Sequence, residues 1–164
     1  MLVVLRHGRA ESFSEDDHDR RLTDRGRRDA TAAGEWLEAQ GLAPSYAFVS
    51  SAVRARDTWE AAVQGAGWTL RGDVQDAVYS ADPDSATDVL RTAPSGAEVV
   101  LYVGHNPTAA SLAHLLDDGT PDVEAFRSLS EGFPPAAVAV LDVEVPWADL
   151  GPGTAHLRAF HGQG

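Results

Sequence analysis

Cysteine and lysine are both missing from this chain of 164 residues. Without cysteine there can be no disulfide, no thiol nucleophile and no zinc–thiolate site. All 13 cationic side chains are therefore arginines, which codon usage explains as well as function does, so their abundance is not evidence of a function. Long apolar runs are also missing, and Arg6 interrupts the only apolar stretch near the start. We therefore expect no signal peptide, no membrane span and a cytoplasmic location.

The charge balance is strongly acidic. The chain has 25 Asp and Glu residues against 13 arginines, a formal net charge of -12. This charge argues against nucleic acid and against an anionic membrane as partners. Arginines nevertheless concentrate in the first third of the chain, between Arg6 and Arg56. An acidic protein that directs arginines into one site would hold an anion by local geometry rather than by its overall field.

The hydrophobic pattern alternates between strand and helix along the chain. Apolar runs predict strands over residues 2–5, 46–50, 68–74, 98–103, 135–143 and 155–160. Helices are predicted over 52–65 and after the capping residues Thr23, Asp82 and Asn106. No repeat or linker interrupts this order. The sequence therefore predicts a single α/β domain over residues 1–164, a three-layer α/β/α sandwich with a central, mostly parallel sheet.

Polar clusters follow three of the predicted strands. The first is Arg6-His7-Gly8, the second leads from Ser50 to Arg54 in the first turn of a helix, and the third is Gly104-His105-Asn106-Pro107. In the third cluster, Asn106 is predicted to cap a helix that starts at Pro107. Because the carboxyl ends of parallel strands meet at one edge of a sheet, we expect the three clusters to lie together.

Two arginines and two histidines at one point suit phosphoryl transfer through histidine. Unprotonated His7 would attack phosphorus, while Arg6, Arg54 and protonated His105 would hold the phosphoryl oxygens. Taken singly, each residue has a plainer interpretation as a strand-end pair, a solvated helix arginine or a locally bonded histidine. The order and spacing of all three clusters favour a shared site.

Other polar residues give weaker signals. His18 lies in an acidic loop and could border the site, although a solvated loop histidine is the simpler interpretation. Arg56, close to Arg54 in sequence, is predicted to be solvated. No spacing among the six histidines predicts a metal site, and the proposed chemistry requires neither a metal nor a cofactor.

The three clusters resemble motifs of the histidine phosphatase superfamily, also called phosphoglycerate mutase-like. The short chain, together with Arg20-x-Leu22-Thr23-x-x-Gly26 and Arg54-Ala55-Arg56-x-Thr58, resembles the small SixA-type phosphohistidine phosphatases. The resemblance covers residues 2 to about 114. It implies that His7 is the phosphorylated nucleophile, that Arg6 and Arg54 bind phosphate, and that His105 is the second catalytic histidine. Arg20 would then lie near the mouth of the site.

Two departures from the family pattern bear on the substrate. Mutase-type members have a phosphate-binding asparagine shortly after the Arg-His-Gly motif, whereas this chain has Glu11 to Ser14 there. Many members also have a glutamate after the third strand that protonates the leaving oxygen. The corresponding stretch here, Asp76 to Asp82, has no glutamate. Asp76 could substitute, although a surface aspartate is the simpler interpretation. Mutase activity is therefore not expected.

The sequence favours a metal-independent phosphatase that acts on phosphohistidine in a protein. Phosphohistidine leaves as an imidazole, which needs less help from an acid than an alkoxide does. Two alternatives stay open: a small-molecule phosphomonoesterase of the same superfamily, and a module that binds a phosphorylated partner without turnover. Either alternative keeps the arginines, but only an enzyme needs His7 as a nucleophile.

Overall fold

A six-stranded sheet with the order β3-β2-β4-β1-β5-β6 forms the centre of the protein in this computed structural model, which describes residues 1–162. The strands are β1 (Leu2–Arg6), β2 (Tyr46–Ser50), β3 (Asp73–Gln75), β4 (Val100–Gly104), β5 (Val138–Val143) and β6 (Ala155–His161). The first four strands are parallel to one another, and β5 and β6 are antiparallel to their neighbours. The predicted mostly parallel sheet is confirmed.

Six helices accompany the sheet in the described part of the chain. They are α1 (Asp24–Ala39), α2 (Val53–Ala66), α3 (Asp76–Tyr79), α4 (Pro83–Arg91), α5 (Thr108–Leu116) and α6 (Val123–Glu131). Two short 3₁₀ turns lie at Asp17–Asp19 and Trp147–Asp149. None of the helices within residues 1–162 is long and apolar enough to cross a membrane.

The alternation of side chains along β1 shows why the fold has three layers. Leu2 and Val4 belong to one buried cluster, with the apolar faces of α4, α5 and α6. Val3 and Leu5 belong to a second cluster on the opposite face, with α1 and α2. All four side chains are completely buried. A central strand covered on both faces needs apolar residues at every position, which explains the continuous run.

Helix boundaries follow the local capping chemistry where the predicted cap is present. The Thr23 side chain accepts a hydrogen bond from the Gly26 amide at the start of α1, and Asp82 accepts one from the Ser85 amide at the start of α4. The predicted cap at Asn106 is wrong. Helix α5 begins at Thr108, and the Asn106 side-chain amide instead donates to the carbonyl oxygen of Phe133, 3.0 Å away.

The third strand and helix α6 also differ from prediction. The third strand is confined to Asp73–Gln75, because Trp68 and Leu70 pack against the α1–α2 side of the core instead of pairing with β2. Helix α6 was not predicted; the Asp122 side chain caps it by accepting from the Ala125 amide. Two of its nine residues, Ala125 and Leu129, are buried.

Candidate active site

The carboxyl ends of β1, β4 and β2 lie side by side, because β4 pairs in parallel with both other strands. The His7 amide donates to the Gly104 carbonyl oxygen at 2.9 Å, which ties the first polar cluster to the third. The rings of His7 and His105 have centroids 5.0 Å apart. The two histidines that the sequence placed on separate strands are therefore neighbours.

One nitrogen of the His7 ring is held by the backbone. Nδ1 lies 2.7 Å from the Gly8 carbonyl oxygen. Because a carbonyl oxygen can only accept, Nδ1 must carry the proton, and the lone pair of the neutral ring is on Nε2. Burial, together with the cations Arg54, Arg6 and Arg20, lowers the pKa of His7 to about 4. At neutral pH the ring is thus unprotonated, and its Nε2 is able to act as a nucleophile.

Gly8 connects this turn to the helical layer. Its amide donates to Oγ1 of Thr58 at 2.9 Å, and the Thr58 hydroxyl donates to the carbonyl oxygen of Arg54 at 2.6 Å. A Cβ at position 8 would lie only 2.7 Å from the Gly26 carbonyl oxygen. The chain therefore requires glycine here, and the close approach fixes His7 relative to α1 and α2.

Arg6 turns a partly satisfied guanidinium toward the site. Nη1 donates to the Phe133 carbonyl oxygen at 2.6 Å. Nε is buried and has no hydrogen-bond partner among residues 1–162. Burial lowers the pKa of Arg6, which means that the charge is poorly solvated. An anion would satisfy both the unpaired donor and the charge.

Arg54 is almost completely buried, with 7% of its side chain exposed. Nη1 donates to the Asp17 carbonyl oxygen at 2.7 Å, and Nη2 donates to Oδ2 of the same residue at 3.0 Å. Nε is buried without a partner in the described part of the chain. Arg54 therefore carries a positive charge into the site and, like Arg6, keeps one free donor there.

Asp17 connects several side chains at the rim of the site, although no sequence motif singles it out. Its carboxylate accepts from Arg20 at 2.8 Å and from the Tyr79 hydroxyl at 3.1 Å, besides Arg54. The hydrogen bond from Arg20, aided by Arg54 and Tyr79, lowers the pKa of Asp17 to about 2. Only its spacing of three residues from Arg20 could have indicated an ion pair.

His105 lies between Ser50 and Tyr79. Nε2 is 2.7 Å from Oγ of Ser50, and the Tyr79 ring stands edge-on to the imidazole with centroids 5.6 Å apart. Nδ1 is buried and finds no partner within residues 1–162. Burial, together with the nearby His7, lowers the pKa of His105 to about 3. The expectation of a protonated His105 is therefore wrong for the free protein, because the ring is neutral near pH 7.

The remaining predicted residues have different positions. Arg20 is half-buried at the rim, where its Nε donates to the Glu11 carbonyl oxygen at 2.7 Å. His18 does border the site: its Nε2 is 3.1 Å from Ser51 Oγ, and its ring contacts Tyr79. Asp76 is exposed at the start of α3, and no hydrogen bond or ion pair joins its carboxylate to another described residue. Arg56 is exposed, as predicted.

Within the described range 1–162, no group of three or more histidine, aspartate or glutamate side chains is arranged to hold a metal ion. The site as described consists of imidazoles, guanidiniums and a rim carboxylate. Such a set matches a phosphoryl anion.

Comparison with known proteins agrees with this chemistry. The profile of the histidine phosphatase superfamily (branch 1) matches residues 2–76. The uncharacterized protein Rv1276c of Mycobacterium tuberculosis is 37% identical over 147 residues, which cover 88% of this chain and 90% of that protein.

Solved structures show the same relationship. The SixA protein of Nakamurella multipartitia, assigned as a phosphohistidine phosphatase, is 33% identical, with a TM-score of 0.86 over 98% of this chain and 94% of that one. The protein histidine phosphatase SixA, solved with tungstate, has the same fold, with a TM-score of 0.80, 21% identity, and coverage of 98% of this chain and 96% of that one. The family profile and the SixA relative at 33% identity together show that this chain belongs to the histidine phosphatase superfamily.

Proposed function

We propose that this protein is a metal-independent phosphatase that removes the phosphoryl group from phosphohistidine in proteins, through a covalent intermediate on His7. The observation that carries the proposal is a set of three buried, unpartnered ring or guanidinium nitrogens, Arg6 Nε, Arg54 Nε and His105 Nδ1. They come from residues around the free Nε2 of His7. A phosphoryl group supplies three acceptor oxygens to such donors and a phosphorus atom to the nucleophile.

The first step transfers the phosphoryl group to His7. The lone pair on Nε2 forms a bond to phosphorus as the P–N bond to the substrate imidazole breaks, and the departing imidazole nitrogen takes up a proton from solvent. The arginines offset the charge on the phosphoryl oxygens throughout. The Nδ1–H bond to the Gly8 carbonyl stabilises the positive charge that develops on the ring.

The second step returns His7 to its starting state. A water oxygen attacks phosphorus in line with the P–Nε2 bond, which breaks and leaves its electron pair on Nε2. Inorganic phosphate is released, and the proton lost by the attacking water passes to solvent or to a phosphate oxygen. Each round consumes one water and needs no other reactant.

The substrate class is supported by the lack, within residues 1–162, of an acid placed at the site. Asp76 is exposed and joined to none of the site residues, and Asp17 is held ionised by Arg20. A general acid contributes about 10²–10⁴-fold where the leaving group is poor. An imidazole leaving group, with an ordinary pKa of about 6.5, needs little such help. Similarity to proteins assigned as SixA phosphohistidine phosphatases supports the same substrate.

We also propose that residues 1–164 act as one catalytic domain. One sheet carries all the site strands, and residues 163–164 lie outside the described range. The cytoplasmic location stays a prediction.

A trapping experiment tests the covalent step. Rapid quench with a ³²P-labelled phosphohistidine peptide is expected to leave acid-labile, base-stable label on His7, and His7→Ala is expected to lose both label and turnover. Turnover near the wild-type rate in His7→Ala would overturn the enzyme proposal. A wild type that binds the phosphopeptide without ever turning it over would instead favour the binding module.

A substrate series tests the leaving group. We expect phosphohistidine to be hydrolysed fastest, an activated aryl phosphate next and an alkyl phosphate slowest, with no loss of activity in EDTA. Faster hydrolysis of the alkyl phosphate, abolished by Asp76→Asn, would show that Asp76 is a general acid and that the protein is a phosphomonoesterase. Inhibition by EDTA that added metal reverses would overturn metal independence.

A further inference from the structure

The hydroxyl of Ser50 lies at one end of the His105 ring. Ser50 is the last residue of β2 and is completely buried. Its Oγ is 2.7 Å from Nε2 of His105, and it also accepts a hydrogen bond from the Ala52 amide at 3.3 Å. Within residues 1–162 the hydroxyl makes these two hydrogen-bond contacts.

These contacts fix which group donates. If His105 carried its proton on Nε2, Ser50 would accept two hydrogen bonds, and its own O–H would be a buried donor with no partner in the described chain. If Ser50 donates to Nε2, both of its contacts are satisfied. An unpaired buried donor costs about 1–3 kcal/mol, so the arrangement in which serine donates is favoured.

We propose that Ser50 is a positioning residue that holds neutral His105 in the tautomer protonated on Nδ1, so that His105 donates a hydrogen bond to the phosphoryl group from that atom. Because Ser50 occupies Nε2 of the His105 ring, a ligand can bind only at Nδ1. This atom is buried and unpartnered within residues 1–162. As an N–H it attracts a phosphoryl oxygen. In the opposite tautomer it would present a lone pair and repel the same oxygen.

The tautomer also makes the two site imidazoles complementary. His7 is protonated on Nδ1 by its bond to the Gly8 carbonyl and therefore offers an acceptor, Nε2, as the nucleophile. His105 is protonated on the same atom, but Ser50 occupies its Nε2, so it offers a donor. One ring then attacks phosphorus while the other stabilises an oxygen, and neither needs a positive charge to do so.

Nitrogen NMR on the free protein tests the tautomer directly. In protein labelled with [¹⁵N]histidine at pH 7, two-bond ¹H–¹⁵N correlation is expected to show a protonated Nδ1 and an unprotonated Nε2 for His105, assigned by loss of the signal in His105→Gln. Ser50→Ala is expected to shift His105 toward the other tautomer or a mixture. Ser50→Thr, which keeps the hydroxyl, is expected to restore it.

Ser51→Ala is the matched control, because the Ser51 hydroxyl contacts His18 rather than His105. It is expected to leave the His105 tautomer unchanged. A wild-type His105 protonated on Nε2 would overturn the proposal, as would a Ser50→Ala protein whose His105 keeps the wild-type tautomer.

The role in the reaction rests on the proposed function, and kinetics test it separately. Ser50→Ala is expected to lower kcat on the phosphohistidine peptide by roughly 10–100-fold, in line with outer partners of functional histidines, and Ser50→Thr is expected to recover most of it. Wild-type protein inactive on every phosphorylated substrate would contradict the proposed function and leave the NMR result standing. An unchanged kcat in Ser50→Ala would overturn the catalytic role of the tautomer.

Discussion

Arg54 is held on two atoms by a single residue, Asp17. The Asp17 carbonyl oxygen lies 2.7 Å from Nη1, and its carboxylate oxygen lies 3.0 Å from Nη2. The arginine side chain is 7% exposed, whereas the aspartate side chain is 54% exposed. A buried cation is thus paired with an anion that can move into solvent. A phosphoryl oxygen would bind the same guanidinium group that the carboxylate now occupies.

Replacing Asp17 tests this competition. Asp17→Asn removes the negative charge and keeps the size of the side chain, so phosphate and tungstate are expected to inhibit up to about fivefold more strongly, since a partly exposed ion pair is worth up to about 1 kcal/mol. Inhibition constants at constant ionic strength measure the effect. Asp19→Asn, whose carboxylate is 68% exposed and contacts His18, is the control and is expected to change little. Weaker inhibition in Asp17→Asn would show that Asp17 orients Arg54 rather than competes for it.

The two arginines in the first turn of α2 are expected to differ sharply. Arg54→Ala removes a buried cation from the site, and losing such a group costs about 10²–10³ in kcat. Arg56 is exposed on the same helix, so Arg56→Ala is expected to leave kcat within about twofold. Steady-state kinetics on the phosphohistidine peptide, with circular dichroism to verify folding, compare the variants. Equal losses of kcat in the two folded variants would show that Arg54 has been wrongly assigned to the site.

The His7 ring is expected to titrate far below an ordinary histidine. Burial and the surrounding arginines lower its pKa from 6.5 to about 4. The proposed nucleophile therefore stays unprotonated from pH 8 down to about 5. NMR titration of the free protein measures this directly, with unfolded protein in urea as the reference near 6.5. A His7 midpoint above 6 in the folded protein would contradict the proposed charge environment.

The same lowered pKa values predict how stability changes with pH. Between about 6.5 and 4 the unfolded chain binds protons at positions 7 and 105 that the folded chain does not, so the free energy of unfolding falls as the pH falls. This stabilisation is fully present above pH 6.5. Urea unfolding at pH 7, 5.5 and 4.5 measures the slope. His105→Gln is expected to reduce it.

Gly26 is expected to tolerate no side chain even though it lies in a helix. Alanine normally stabilises a helix by up to about 1 kcal/mol relative to glycine. Here a Cβ would lie 2.0 Å from the Arg9 carbonyl oxygen, which is backbone and cannot move aside. Gly26→Ala is therefore expected to lower the free energy of unfolding by about 1–3 kcal/mol, measured by urea unfolding. Gly96→Ala, where a Cβ meets nothing within 4 Å, is expected to be neutral.

The parts of the site that could be predicted are those attached to strand ends. Arg6 ends the apolar strand β1, and His7 and His105 each directly follow a strand. Parallel pairing brings the carboxyl ends of such strands together, independently of the loop conformations. Arg54 is placed by the first turn of the next helix. That these residues lie close together therefore follows from the hydrophobic periodicity and from the order of strands and helices along the chain.

The parts that could not be predicted depend on loops. Asp17 belongs to an acidic segment in which several carboxylates look equivalent, and only the folded turn selects the one that reaches Arg54. Tyr79 follows a strand of three residues, too short to place it by periodicity. Asn106 is a residue type that often caps helices. Its side-chain amide instead donates a hydrogen bond to the carbonyl oxygen of Phe133, which is distant in sequence.

The position of β4 between β1 and β2 has a consequence for biosynthesis. Val100 pairs with Leu2 on one side and with Tyr46 on the other, so the two earlier strands have no contact in the sheet until a strand made much later comes between them. The ribosome releases His7 and the Arg54 helix first, whereas the strand that aligns β1 with β2 in the sheet is made only later. Catalytic competence thus arises only after residue 105 has left the exit tunnel, and an arrested translation product that ends before β4 would be inert.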